Sequence, residues 1–269
     1  MLLFSQYFNL FIICSVIGWI YECAYCAIKG KHWDNRGFLY GPVCPIYGVG
    51  IVGLLMICHR LRSFGIEYSA IPWWIIFLSC MFGSAVMEYL TSYALEKLFH
   101  ARWWDYRDMP LNIHGRICLP ASLFFGAAGI LLSRIIFPYM EGLLADFNFS
   151  ISAQEILSLI LMAIFAADLA LTVDSLLKLT EKLDRMEQLI DTRMENAVRL
   201  AGNPKQLLIL SEHAVEKLSG QALAIAAELS AHQKQILGAI RTYSSEKTSK
   251  ATVQLKEAVK AISVRIKEH

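Results

Sequence analysis

Glu22 and Glu88 each stand in an apolar run long enough to cross a bilayer. A carboxyl there is expensive, at roughly 2.5–3.5 kcal/mol for an Asp at a helix centre on insertion scales. Their surroundings match: a shift of 66 positions places Phe11 on Phe77, Cys14 on Cys80, Gly18 on Ser84, Glu22 on Glu88 and Lys31 on Lys97. Positions 14, 18 and 22, like 80, 84 and 88, are four apart, so cysteine, a small residue and glutamate share one helix face. Small residues let helices approach closely in lipid, so that face is expected to look into a bundle. The carboxyls then serve a polar intramembrane site, or they only snorkel to the interface from near their helix ends. The cost of burial favours function.

Each glutamate-bearing run is followed by a breaker-rich stretch, "NRGFLYGPVCPIYG" (residues 35–48) in one case and "LNIHGRICLPASLFFG" (residues 111–126) in the other. A shift of 78 places Gly37 on Gly115, Pro42 on Pro120 and Gly48 on Gly126; the change of offset implies a 12-residue insertion around "HARWWDYRDMP". Gly37, Gly41 and Gly48 permit backbone conformations closed to other residues, and Pro42 and Pro45 sit well only in a helix's first turn. The expected picture is a loop that dips toward the bundle, with Asn35 and Arg36 at its entrance, and starts the second helix near Pro42. Irregular backbone at that depth needs cover from protein or a watery cavity. The helix start offers free amides to an anion, with charge added by Arg36 or Arg116, or it is a tight turn required by packing. In the insertion, Trp103, Trp104 and Tyr106 suit a membrane interface. The polar residues Arg102, Asp105, Arg107, Asp108, Asn112, His114 and Arg116 are too many for a lipid-facing belt. Asp105 paired with an arginine would be a structural clamp; contact with a substrate is the other reading. Glu22 and Glu88 are thus expected to line one polar cavity, closed by the Gly37–Pro42 and Gly115–Pro120 segments, with Arg36, Asn112 and Arg116 at its rim.

The elements that must position these residues follow from composition. The 269 residues are 56% hydrophobic and only 18% charged, with a mean hydropathy of +0.45, which is too apolar for an ordinary soluble domain. The apolar blocks at about 3–28, 42–58, 71–95, 117–140 and 156–177 approach the roughly 20 residues that a helix needs to span the hydrocarbon core. The first lacks a basic leader region and a small-residue cleavage site, so it is expected to stay as a transmembrane helix. The fold class is therefore all-α: a polytopic bundle of about five helices. Two parallel two-helix repeats (about 3–58 and 71–140) and a fifth helix make a transmembrane domain over 1–178, and residues 179–269 form a helical or coiled-coil tail. Lys and Arg cluster after blocks one, three and five, so the positive-inside rule predicts a cell-membrane protein with its N-terminus outside and its tail cytoplasmic. A formal charge of +2, with no basic stripe interleaved with aromatics, argues against nucleic acid. The seven cysteines all lie in or beside the apolar blocks, and Cys23–Cys26 lacks a second ligand pair, so no metal site is expected and packing explains them.

In block five Asp168 is the deeper acid and Asp174 the shallower. Beyond them Leu176, Leu179, Leu183, Met186 and Ile190 alternate spacings of three and four, the seam of a coiled coil or helical hairpin. That helix is expected to continue to about Leu200, with further helices at 204–218, 221–242 and 246–267 punctuated by Gly220 and "YSS". The tail reads as a docking or oligomerising module.

The two breaker motifs, the glutamates and "EKLFHARWWDY" resemble the CmpB-like family called putative ABC-transporter type IV, over about residues 5 to 140. The resemblance implies a transport subunit and supplies no catalytic residues; the fifth helix and tail are expected to lie largely outside it. No G-x-x-x-x-G-K-[ST] occurs, so any ATPase is a separate subunit, and no cofactor is expected. Three functions fit: a transport subunit using the paired carboxyls as a central site, a membrane-embedded enzyme acting on a lipid or polyprenyl substrate with a glutamate as acid or base, or a non-catalytic adaptor whose tail recruits a partner. The expected partners are membrane lipids, an ATPase or another cytoplasmic protein bound through the tail, and a second copy of the chain.

Overall fold

The computed structural model describes residues 4–30, 37–139, 150–200, 219–243 and 251–260. Among these, five helices are long and apolar enough to cross a membrane: α1 (Phe4–Gly30), α2 (Pro45–Ser63), α3 (Trp73–Phe99), α4 (Leu119–Leu131) and α5 (Ile151–Leu200). A π-helical turn at Leu132–Ile136 extends the fourth span to Tyr139. Helices are what this composition dictates, because backbone in hydrocarbon must satisfy its own hydrogen bonds. The protein is an all-α, multi-pass membrane bundle. At 1.5 Å per residue the 50 residues of α5 run about 75 Å, more than twice the roughly 30 Å hydrocarbon core.

The chain divides into two compact units, one within Met1–Ala94 and Asp105–Thr172, the other within Leu95–Trp104 and Val173–His269. In the first, glycines set the helix contacts. A Cβ on Gly48 of α2 would fall 2.1 Å from Ser15 Oγ and 2.5 Å from the Phe11 carbonyl of α1, and one on Gly18 of α1 would fall 2.4 Å from the Tyr47 ring of α2. Across α3 and α4, a Cβ on Gly126 would meet the Phe77 ring at 2.8 Å and one on Gly129 would meet Cys80 Sγ at 2.2 Å. These are close helix approaches that small residues permit in lipid. Tyr21 stacks on Phe124 at 5.9 Å, which joins α1 to α4, and Phe165 of α5 meets Phe11 edge-on at 5.4 Å. At the far end Leu55, Cys58, Tyr68 and Phe137 form a buried cluster, and Arg134 donates to the carbonyls of Ser69 and Ile71.

The second unit has its own core. Leu176, Leu179, Leu183 and Met186 are each 2% exposed or less, whereas Ile190 is partly exposed, so the predicted seam is buried for its first four members. Lys182 donates to the Glu228 carbonyl at 2.7 Å and Gln233 to the Ser175 carbonyl at 3.4 Å, which ties this stretch of α5 to the tail. The helix expected over 221–242 is two. One helix covers 219–227 and includes Gly220, and the second is Ala231–Ala239, started by a capping box in which Ser230 and Gln233 exchange side-chain-to-backbone bonds at 3.1 Å. The local S-x-x-Q signal overrides the continuous apolar pattern. After it the chain turns extended, and β2 (Thr242–Tyr243) pairs antiparallel with β1 (Ala101–Arg102). Residues 251–260 form the last described helix; the helix expected over 204–218 lies outside the described residues.

Candidate functional site

Both glutamates meet a tyrosine hydroxyl. Tyr47, one turn into α2, donates to Glu22 Oε1 at 2.5 Å. Glu88 on α3 shares a side-chain hydrogen bond with Tyr106, from the loop between α3 and α4. Glu22 is half-buried and Glu88 is 6% exposed, and Glu22 lies within electrostatic reach of both Glu88 and Tyr106. Burial, then the Glu88 charge, raises the Tyr106 hydroxyl well above the usual phenol range, so Tyr106 stays a neutral donor. Tyr106 therefore turns toward a carboxyl, where the sequence suited it to the lipid interface. Trp103 and Trp104 are only half-buried, whereas Trp73 and Trp74 at the start of α3 are exposed as an interfacial belt requires.

The first breaker loop is held from outside itself. Asp168 of α5 accepts from the backbone amides of Tyr40 and Gly41, both at 2.8 Å, and from Thr172 Oγ1 at 3.3 Å. A Cβ on Gly41 would lie 2.9 Å from Asp168 Oδ2, so glycine is what admits the carboxylate. The Cys44 amide donates to the Ser15 carbonyl of α1 at 2.9 Å, and α2 begins at Pro45, in its first turn. This corrects the helix start expected near Pro42: Pro42 lies in the loop, because Gly41 and Cys44 use their amides on α5 and α1. Gly37 opens the described part of this loop; Asn35 and Arg36 lie outside the described residues.

The second loop supplies many of its own bonds and also leans on α3. Leu111, His114 and Gly115 have φ values of +50°, +53° and +68°. For residues with a Cβ the left-handed region costs roughly 1–2 kcal/mol each. Asn112 offsets this by donating to the carbonyls of Arg107 and Met109 at 3.0 and 2.9 Å and accepting from the Gly115 amide at 3.1 Å. Asp105 pairs with Arg107 at 2.6 Å and accepts from its amide at 3.1 Å, and a Cβ on Gly115 would lie 2.8 Å from Asp105 Oδ1. Asp105 is thus bonded as a clamp would be. Arg116 sits over the rings of Tyr89 and Tyr93 at 5.2 and 5.4 Å, and His114 Nδ1 is 3.1 Å from Tyr89 Oη. Pro120 falls in the first turn of α4, whose N-cap is Cys118.

Sequence reasoning missed Tyr47 and Tyr106, and it left Asp168 without a partner. A tyrosine one turn after a breaker, at "PIYG", was the available signal for the first. Burial, then the neighbouring Glu22 and Cys23, push the thiol of Cys44, at the N-cap of α2, up to about 12. Among the described residues no group of three or more His, Cys, Asp or Glu is placed to hold a metal ion.

Five apolar spans around these carboxyls define the chain as a multi-pass helical membrane protein. A profile of the family described as Putative ABC-transporter type IV matches residues 9–173, and the chain belongs to that family. Membership makes it a transport-related membrane protein and suggests association with other transporter components such as an ATPase. The match runs through the membrane part of α5, which the sequence resemblance left outside, and the Asp168 bonds give a physical reason for including it. Comparison with curated proteins and with solved structures gives no match.

Proposed function

We propose that the protein is an integral membrane transport subunit whose polar intramembrane site is built from Glu22 with Tyr47 and Glu88 with Tyr106, under the two breaker loops. One observation carries this reading. Two carboxyls on different spans each take a hydroxyl from another element while lying within electrostatic reach of each other. Carboxyls that only snorkel would turn to the headgroups. Gly37–Pro42 and Gly115–Pro120 close the site, with Arg116 and Asn112 on the second loop. In this reading the two helix pairs are parallel repeats, supported by the matched contacts of Gly48 with Phe11 and Gly126 with Phe77. The N-terminus is outside, the tail is in the cytoplasm of a cell-membrane protein, and the tail is where an ATPase subunit docks.

Glu22→Gln and Glu88→Gln keep shape and remove charge. Each is expected to abolish rescue of a cell lacking the chain while the variant still inserts and folds. Full rescue by both variants would overturn the transport site, and loss of folding would make the carboxyls structural.

A further inference from the structure

We infer that the Glu22–Glu88 pair binds one small monovalent cation, a proton or an alkali ion, and that this charge is what the site takes up and releases. The inference deepens the transport reading and rests on the same carboxyls. Glu88 is 94% buried by its 6% exposure, and its Oε2 is a buried atom with no hydrogen-bond partner. The Tyr106 hydroxyl donates to its carboxyl and the Glu22 carboxyl acts on it, neither of them positive. Around Tyr106 stand Glu88, Cys118, Glu22 and Tyr25, and around Cys44 at the start of α2 stand Glu22 and Cys23. Tyr47 faces Glu22, Tyr21 and Cys44. These groups are acids or neutral donors, and the guanidinium of Arg116 on the second loop lies over the Tyr89 and Tyr93 rings.

Two ionised carboxylates here would leave a double negative charge and a bare oxygen in a low-dielectric interior, where an unpaired buried charge costs several kcal/mol or more. The two phenols lessen this through hydrogen bonds and cannot neutralise it. One positive charge on the pair removes both defects at once. Carboxylate and phenol oxygens are hard donors that suit a proton or a small alkali ion, and the charge belongs to the pair, as for any strongly coupled acids. Proton and sodium share this chemistry, so the experiment separates them.

The purified full-length chain is reconstituted in nanodiscs. Its thermal midpoint is followed in sodium chloride against choline chloride at equal ionic strength, and its infrared spectrum is recorded at neutral pH. An alkali-ion site gives a midpoint that rises with the logarithm of sodium concentration. A proton site gives no sodium effect and a protonated-carboxyl band at neutral pH. In either case Glu88→Gln is expected to remove the signal, and Asp174→Asn, whose carboxylate is exposed and paired with Lys178, is expected to keep it. If Glu88→Gln does not fold, Glu22→Gln serves for the sodium arm, since one carboxylate with a single tyrosine no longer makes the paired site. Wild-type protein with neither sodium stabilisation nor a protonated-carboxyl band overturns the inference, as does a signal that survives in both glutamine variants. These readouts need no transported substrate, so the cation site and the transport reading can fail separately.

Discussion

The two breaker loops are held in place by different means. The first is short and borrows its acceptor from Asp168, 127 residues away from Gly41. The second carries the insertion and supplies its own acceptors through Asp105 and Asn112. The tyrosines differ in the same way: Tyr47 comes from a helix already packed on α1, while Tyr106 comes from the inserted loop. A loop with enough polar residues folds on itself, and one built from glycine and proline needs a third element to hold it. That makes α5 the support of the first loop, in keeping with a family match that ends at residue 173.

The comparison breaks most severely where helices touch through glycine. Gly48→Ala puts a methyl 2.1 Å from Ser15 Oγ and 2.5 Å from backbone, with no flexible side chain to absorb the whole clash. It is expected to destabilise the protein by about 1–3 kcal/mol as overpacking does, or to block assembly. Gly53→Ala on the same helix meets nothing within 4 Å and is expected to leave the thermal midpoint unchanged or slightly raised. Equal effects at the two glycines would contradict the close α1–α2 contact.

A smaller effect sharpens the difference between the loops. Asp168→Ala leaves two backbone donors of the first loop, one exposed and one part-buried, without their acceptor, a loss of about 0.5–1.5 kcal/mol for each hydrogen bond. Backbone hydrogen exchange is expected to rise at Tyr40 and Gly41 and to stay unchanged at Gly115. Asn112→Ala is expected to reverse the pattern. Simultaneous loosening of both loops in either variant would mean that they are one unit after all.

The spans were legible because crossing a bilayer demands a long apolar run, which few other constraints produce. Gly48 reads in the sequence as a backbone breaker, yet it lies inside α2, where what it supplies is a close approach to α1. The tyrosines were not legible, since a phenol suits the lipid interface as well as a buried carboxyl and the residue type alone does not choose. Asp168 was visible as a costly acid, but its partners are backbone amides on a distant loop, and backbone leaves no mark in composition. The pairing of Ala101–Arg102 with Thr242–Tyr243 was hidden for a similar reason: two residues make no periodic pattern. Ser230 and Gln233 did carry a capping signal, masked by the apolar repeat running through 221–242.

The most direct test of the central claim, that Glu22 and Glu88 form one site, is a double-mutant cycle on thermal stability in nanodiscs. Glu22→Gln, Glu88→Gln and the double variant are compared with wild type under one set of ionic conditions. If the carboxyls share one charge, the second substitution changes the midpoint far less in the background of the first than it does alone, a coupling of about 0.5–3 kcal/mol of the kind seen for residues in one network. Two independent effects that simply add would contradict the shared site and leave two separate buried carboxyls.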